Sequence, residues 1–305
     1  MKQKPKTLLR AWDAAQTQEP GITPRVFALR QGFSDNGKHT AEDVLMVRLE
    51  TARREQEIAG KYHFSLGQPL ALQGDYMLVG DPHAPFIDYQ WAERVAAVAT
   101  KRLKAPRRLI VGGDFVNGDK WSSYPHIIEP PTWANERDAL RGLVDYWLST
   151  FAEITFLMGN HDRRLQKFTG GAFDDTDIIG MINSNRERVN SSNFGWCTIE
   201  SGGEVYRVTH PKNYSVNQLV VASDLALKYN QHIISFHEHH LSLGWDRYKR
   251  HVIVNGGCLA DFSKFAYVNL DDSKAAGMAN GFVMVKVGAP YLFGPAPMTD
   301  WSEYE

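Results

Sequence analysis

Three short apolar runs, at residues 76–80, 108–112 and 154–158, each end on a cluster of acidic, amide or imidazole side chains. Runs of this length, rich in Val, Ile, Leu and aromatic residues and closed by glycine or methionine–glycine, read as strands. The stretches between them, 90–103 and 135–152, have helical composition. Strand–helix–strand alternation on this scale predicts an α/β domain with a largely parallel sheet. Each polar cluster then falls just past the carboxyl end of a strand, where open α/β sheets collect their ligands.

The second half is richer in strands. Residues 204–209 read as a strand ending at His210, 220–229 as a helix, and 232–236 as a strand running into His237. Residues 252–254 and 282–287 add two more strands. The Pro-bearing end, 289–305, is expected to be an irregular tail in which Trp301 and Tyr304 pack. The main domain is therefore expected over 70–288.

Residues 1–62 read as a separate, helical extension. Thr23-Pro24 predicts an N-cap followed by proline in the first turn. Thr40-Ala41-Glu42-Asp43 resembles a capping box opening a long helix, and Gly60 is its expected stop. Ala28 and Gly32 have the spacing of a helix-turn-helix, although the following loop, with Ser34-Asp35-Asn36-Gly37, is long and Lys38 sits where an apolar residue is expected. This segment carries eleven Lys or Arg against eight Asp or Glu. That mild excess makes it a candidate nucleic-acid contact; the other reading is a helical piece that packs on the main domain or joins an oligomer.

Over the whole chain, 34 basic and 35 acidic residues nearly cancel. Net charge therefore points to neither nucleic acid nor membrane. No apolar run is long enough to span a bilayer, so no membrane partner is expected. Two cysteines, Cys197 and Cys258, are too few and too far apart for a thiolate metal site. They fit a reducing, cytoplasmic location.

The chemistry lies in five clusters in fixed order: Asp81-Pro82-His83, Gly113-Asp114 with Asn117 nearby, Gly159-Asn160-His161-Asp162, His210, and His237-Glu238-His239. Taken singly each has an ordinary explanation: a loop, a turn, a structural histidine. Together they supply carboxylates, an amide oxygen and imidazoles in the mixture that two adjacent divalent cations use for attack on a phosphorus ester.

That ordered set resembles the calcineurin-like metallophosphoesterase superfamily, with the likeness running from about residue 76 to 261. The resemblance implies a double β-sandwich flanked by helices, four layers in all, with metals at the strand ends. It implies two divalent metal ions. Asp81, His83 and His239 would hold one, Asn160, His210 and His237 the other, and Asp114 would bridge them. Mn²⁺ is favoured, with Fe or Zn²⁺ as alternatives, because the ligand set mixes nitrogen and oxygen without thiolate. The implied nucleophile is a metal-bridging hydroxide, with His161 facing the phosphoryl or leaving-group oxygen, Asp162 orienting it, and Asn117 touching substrate. Phe236 departs from the family pattern, standing where a glycine precedes the last histidine pair. His240 competes with His239 if the strand register differs. The Asp-Arg-Gly of phosphoprotein phosphatases is absent after Asp114, which disfavours a protein phosphatase; Arg163 or Arg164 would either replace its phosphate-gripping arginine or serve only in surface salt bridges. A phosphodiester, from a nucleotide or nucleic acid, is the expected substrate. The alternatives are a phosphomonoesterase or nucleotide phosphatase, and a non-catalytic nucleic-acid-binding or scaffold protein.

Overall fold

The computed structural model describes residues 5–35, 37, 39–61, 68–122, 128–183, 185, 187–265, 268 and 277–304. Residues 1–4 and 62 of the expected helical extension, Asn36 and Lys38 of its loop, and the last residue of the expected tail lie outside these. The chain divides into two compact units, Met1–Gln68 and Pro69–Glu305.

The first unit holds three helices, α1 (Pro5–Gln18), α2 (Pro24–Arg30) and α3 (Ala41–Lys61). Thr23 caps α2 by accepting from the Val26 N–H, with Pro24 in the first turn. Thr40 and Asp43 exchange hydrogen bonds at the start of α3, with the Thr40 N–H donating to Asp43 at 2.8 Å and the Asp43 N–H to Thr40 at 3.2 Å. Leu8, Leu9, Trp12, Phe27, Leu45 and Leu49 form its own buried core. The connection between α2 and α3 spans residues 31–40. That exceeds the three or four residues of a helix-turn-helix, so the motif suggested by Ala28 and Gly32 is not formed.

The second unit is built on two six-stranded sheets. One has the order β12-β11-β2-β3-β4-β5, from β2 (Tyr76–Val79), β3 (Arg108–Val111), β4 (Glu153–Leu157), β5 (Val189–Ser192), β11 (Phe282–Lys286) and β12 (Ala289–Phe293). Within it β2, β3, β4 and β5 run parallel. The other has the order β1-β6-β7-β8-β10-β9, from β1 (Ala71–Gln73), β6 (Trp196–Ser201), β7 (Glu204–Thr209), β8 (His232–Ser235), β9 (Leu241–Trp245) and β10 (Val252–Gly256).

Alternate side chains of the strands sort into two cores. Leu78, Ile110, Leu157 and Val283 meet Ile199, Tyr206, Val208, Ile234 and Val254 between the sheets. Met77, Val79, Leu109, Val111 and Phe156 face outward, against helices α4 (Tyr89–Arg102), α5 (Trp133–Trp147) and α7 (Asp175–Ile182). On the far face, Ala222 and Ala226 of α8 (Val220–Tyr229) cover Ile233 and Ile253. The unit is thus four layers, helix–sheet–sheet–helix. Strands covered on both faces must be apolar throughout, which is why 76–79 and 109–111 are continuous hydrophobic runs.

The expected irregular tail is corrected. Ala289–Phe293 pairs antiparallel with β11, and Trp301 packs on Trp91 with ring centroids 5.5 Å apart. Pro290 disguised the strand, but β12 is an edge, where a residue without an N–H leaves no partner short of a hydrogen bond.

Candidate metal centre

All five clusters arrive at one end of the two sheets. The turn after β2 pairs with the turn after β3: Asp81, His83 and Ala84 donate their N–H groups to Gly113, Asp114 and Phe115, each at 3.0 Å. Five of the seven expected ligands leave the ordinary backbone range to reach inward. Asp81, His83, Asp114, His237 and His239 have φ of 53°, 44°, 48°, 85° and 56°. For non-glycine residues this left-handed region costs of order 1–3 kcal/mol each. Such strain persists where the aim of the side chain is what matters.

Two glycines are demanded by closeness. A Cβ on Gly113 would lie 2.5 Å from the His210 ring, and one on Gly159 would lie 2.2 Å from the Asp114 carboxylate. The Gly-Asp and Gly-Asn pairs therefore let two strand ends touch the same small space.

Among the described residues three overlapping groups offer ligand atoms all within 4.8 Å of one another: Asp81, His83 and His239; Asp114, His210 and His237; and His83, Asp114 and His161. The side chain of Asn160 joins the second group, its Oδ1 lying 3.1 Å from His210 Nε2. His240 belongs to none of them; its ring lies against Gly277.

The donor set fits divalent cations on its own geometry. His210 Nδ1–H donates to the Gly112 carbonyl at 2.9 Å, which leaves the Nε2 lone pair facing Asp114 Oδ2 at 3.2 Å and Asn160 Oδ1 at 3.1 Å. Lone pair against two oxygens is repulsive unless positive charge sits among them. Burial disfavours a charged His210, yet the Asp114 and Asp81 carboxylates outweigh it and lift its pKa to about 10. Likewise His239 Nε2 faces both Asp81 Oδ2 at 3.0 Å and His83 Nε2 at 3.2 Å. One proton on that nitrogen serves only one of the two contacts, whereas a cation among the three atoms serves them all.

Three expected roles change. Asp162 does not orient His161. Its buried carboxylate accepts from the backbone N–H groups of Gly159 at 2.7 Å, Asp114 at 2.8 Å and Val116 at 3.1 Å. It ties the turn after β4 to the turn after β3, and burial, with the Asp114 charge added, raises its pKa to about 8. Arg163 points away from the centre, donating to the Asn193 side chain at 3.3 Å and to the Asn193 carbonyl. Asn117 meets the centre through its backbone: its carbonyl accepts from His161 Nδ1–H at 2.6 Å.

Around His161 stand Arg164, one of the two candidate arginines, and Glu136, which sequence reasoning missed. Arg164 donates to His161 Nε2 at 3.0 Å, to the Asn117 carbonyl at 3.0 Å and to Asp119 at 2.8 Å. Beneath them Glu136, fully buried on α5, accepts from the Gly118 N–H at 2.9 and 3.1 Å. Only its helical position marked Glu136, and nothing marked its partner. Burial raises its pKa to about 8, helped by the Asp119 charge. A carboxyl whose pKa is raised in the folded state binds a proton that the unfolded chain releases near the ordinary value of 4.5. Stability from this group is therefore full below that value and is lost as pH rises through about 8. Glu136→Gln is expected to flatten the fall in urea midpoint between pH 5 and pH 8.5; an unchanged slope would place the titration elsewhere.

The calcineurin-like phosphoesterase model matches residues 75–265. The chain belongs to that family. Among solved structures, a conserved uncharacterized protein from Streptococcus pneumoniae, described as a predicted phosphoesterase, is 12% identical, with a TM-score of 0.34, covering 73% of this chain and 98% of its own. Vps29 from Chaetomium thermophilum is 9% identical, with a TM-score of 0.40, covering 74% and 94%. Vps29 from Entamoeba histolytica, complexed with zinc, is 12% identical, with a TM-score of 0.39, covering 74% and 94%. No curated protein matches the chain. No helix among the described residues is long and apolar enough to cross a membrane.

Proposed function

We propose that this protein is a phosphodiesterase working with two divalent cations, of which Mn²⁺ is the first to test. The observation that carries the reading is two ligand groups, Asp81 with His83 and His239 and Asp114 with His210 and His237, joined by a third that sets Asp114 beside His83. Asp81, His83 and His239 would hold one cation, Asn160, His210 and His237 the other, with Asp114 shared. When bound, such ions supply Lewis acidity to a phosphoryl oxygen and a water acidic enough to attack near neutral pH. The chain's own part is to fix that geometry. Asp162 locks the two turns together, His210 is held in one tautomer by Gly112, and the strained turns aim the remaining ligands.

Support for a diester comes from the margins of the centre. Tyr214, 54% exposed, has its ring 6.4 Å from that of His237. Beyond His161, Phe168 at the end of α6 (Asp162–Phe168) is 71% exposed and lies 6.4 Å from Trp121. Open aromatic surface beside His237, with a second exposed ring on α6, suits a phosphate carrying two organic arms, including those of a nucleotide. A monoester has one arm to place.

The test is hydrolysis of bis-p-nitrophenyl phosphate beside p-nitrophenyl phosphate in Mn²⁺, with metal content measured on the same sample. Two ions per chain and a kcat/KM at least about tenfold higher on the diester are expected, about 1.4 kcal/mol in transition-state terms. A monoester preference overturns the diester reading. Two bound ions with turnover of neither ester would favour a binding or scaffold role.

A further inference from the structure

Glu238 stands between two candidate ligands, His237 and His239, yet belongs to none of the ligand groups. It is buried, and both of its oxygens are spent elsewhere. One accepts from the Ser215 backbone N–H at 3.0 Å, the other from the Asn255 side chain at 3.1 Å. Asn255, equally buried in β10, accepts in turn from the Leu219 N–H at 2.7 Å and gives its other amide hydrogen to Ser235 at 3.0 Å. A carboxylate is costly to bury unless donors meet it. The donors here belong to the connection between β7 and α8, which is gripped at Ser215 through Glu238 and at Leu219 through Asn255.

That connection begins at the candidate ligand His210 and carries Tyr214. The Tyr214 ring lies 6.4 Å from that of His237 and nearly perpendicular to it, at 86°. It remains 54% exposed, although the next residue is the one tethered to Glu238. The ring is therefore fixed beside the centre without being covered. The flank at His83 and His239 is built differently. There Phe265, buried, lies 5.3 Å from the His83 ring and 6.0 Å from the His239 ring. Among the described residues that flank is packed ring on ring, whereas the His237 flank ends in an open aromatic face.

We propose that residues 211–219 form a recognition loop, in which Tyr214 stacks on a planar, unsaturated arm of the phosphate ester and Glu238 is the positioning residue that sets the loop against the ligand histidines. This rests on the reading of the centre as a phosphate-ester site. Stacking accepts any planar arm, aryl ring or nucleobase, and gains nothing from a saturated one. The selectivity is therefore for aromatic over alkyl esters. Glu238 touches no substrate atom and acts through Tyr214.

The experiment titrates phenylphosphonate and methylphosphonate calorimetrically into the Mn²⁺-loaded protein. Their C–P bonds are not hydrolysed and their head groups match, so the arm is the variable. Wild type is expected to bind the phenyl compound about tenfold more tightly, the scale of one stacked ring. Tyr214→Ala is expected to abolish that preference and Tyr214→Trp to keep it. Glu238→Ala is expected to abolish most of it with bound metal unchanged, and to remove nothing further once Tyr214 is alanine. Hydrolysis of thymidine 5′-p-nitrophenyl phosphate beside methyl p-nitrophenyl phosphate is expected to show a kcat/KM ratio that falls in Tyr214→Ala, which extends the subsite to a nucleobase; a ratio near one, with the phenyl preference intact, confines it to aryl arms. Equal affinity for the two phosphonates in wild type, or a preference that survives Tyr214→Ala, overturns the proposal. Loss of metal in Glu238→Ala, or equal weakening of both phosphonates with the preference kept, overturns the positioning role. A Tyr214-dependent phenyl preference without turnover of any ester removes the hydrolase reading and leaves the subsite standing.

Discussion

Asp114→Ala is expected to remove at least one of two bound metal ions and to lower kcat/KM on the aryl diester by 10³-fold or more, about 4 kcal/mol. Asp114 takes part in two of the three ligand groups, one with His210 and His237 and one with His83 and His161. Its Oδ2 faces His210 Nε2 at 3.2 Å, and its Oδ1 accepts the His161 N–H at 2.8 Å. Two divalent ions a few ångström apart repel strongly, and a shared anion is what offsets that repulsion. Alanine removes the shared charge and frees the backbone at His161. Metal content after dialysis, measured beside turnover, gives the answer. A variant that keeps two ions and stays within tenfold of wild-type activity would show that Asp114 is not shared.

Phe236→Ala is expected to destabilise the second unit by roughly 3–5 kcal/mol. For a unit of this size that is a fall in Tm of about 10 °C. Phe236 is 1% exposed and lies between the sheets directly under the candidate metal ligands. Its ring fills space kept open by three glycines at strand ends: a Cβ on Gly80, Gly112 or Gly256 would come within 2.2 Å of it. Where the family pattern has a glycine before the last histidine pair, this chain has the ring, and the neighbouring strands have given up their side chains. Removing the ring leaves a void beneath His237, which the three glycines are too small to fill. Metal affinity is expected to fall with stability, because the backbone N–H of His237 donates to Asp81 at 3.2 Å across that same floor. A loss below about 1 kcal/mol in urea denaturation would mean that the glycines close around the gap.

How much of this was legible beforehand depended on how local the signal was. β2, β3 and β4 were plain because central parallel strands are apolar on both faces. β5, with Asn190, Ser191 and Ser192, and β9, with Ser242 and Gly244, were not read as strands. Each is an edge strand, where fewer side chains need be apolar. The three-residue β1 carried too little pattern to register.

Within the site the same division holds. The types and order of the ligand residues are properties of the chain, since carboxylate, amide and imidazole bind cations wherever they stand. Whether a given neighbour faces the centre is a property of backbone rotation. Successive residues of a helix point about 100° apart, so Arg164 reaches His161 while Arg163 turns to Asn193. His239 joins Asp81 and His83 while His240 turns to Gly277. Asp162, adjacent to His161, serves three backbone N–H groups instead. The order of the clusters already named the family, because ligand character belongs to single residues. The assignment of roles among adjacent residues came only with the fold, because it depends on left-handed turns held in place by strands far apart in the chain.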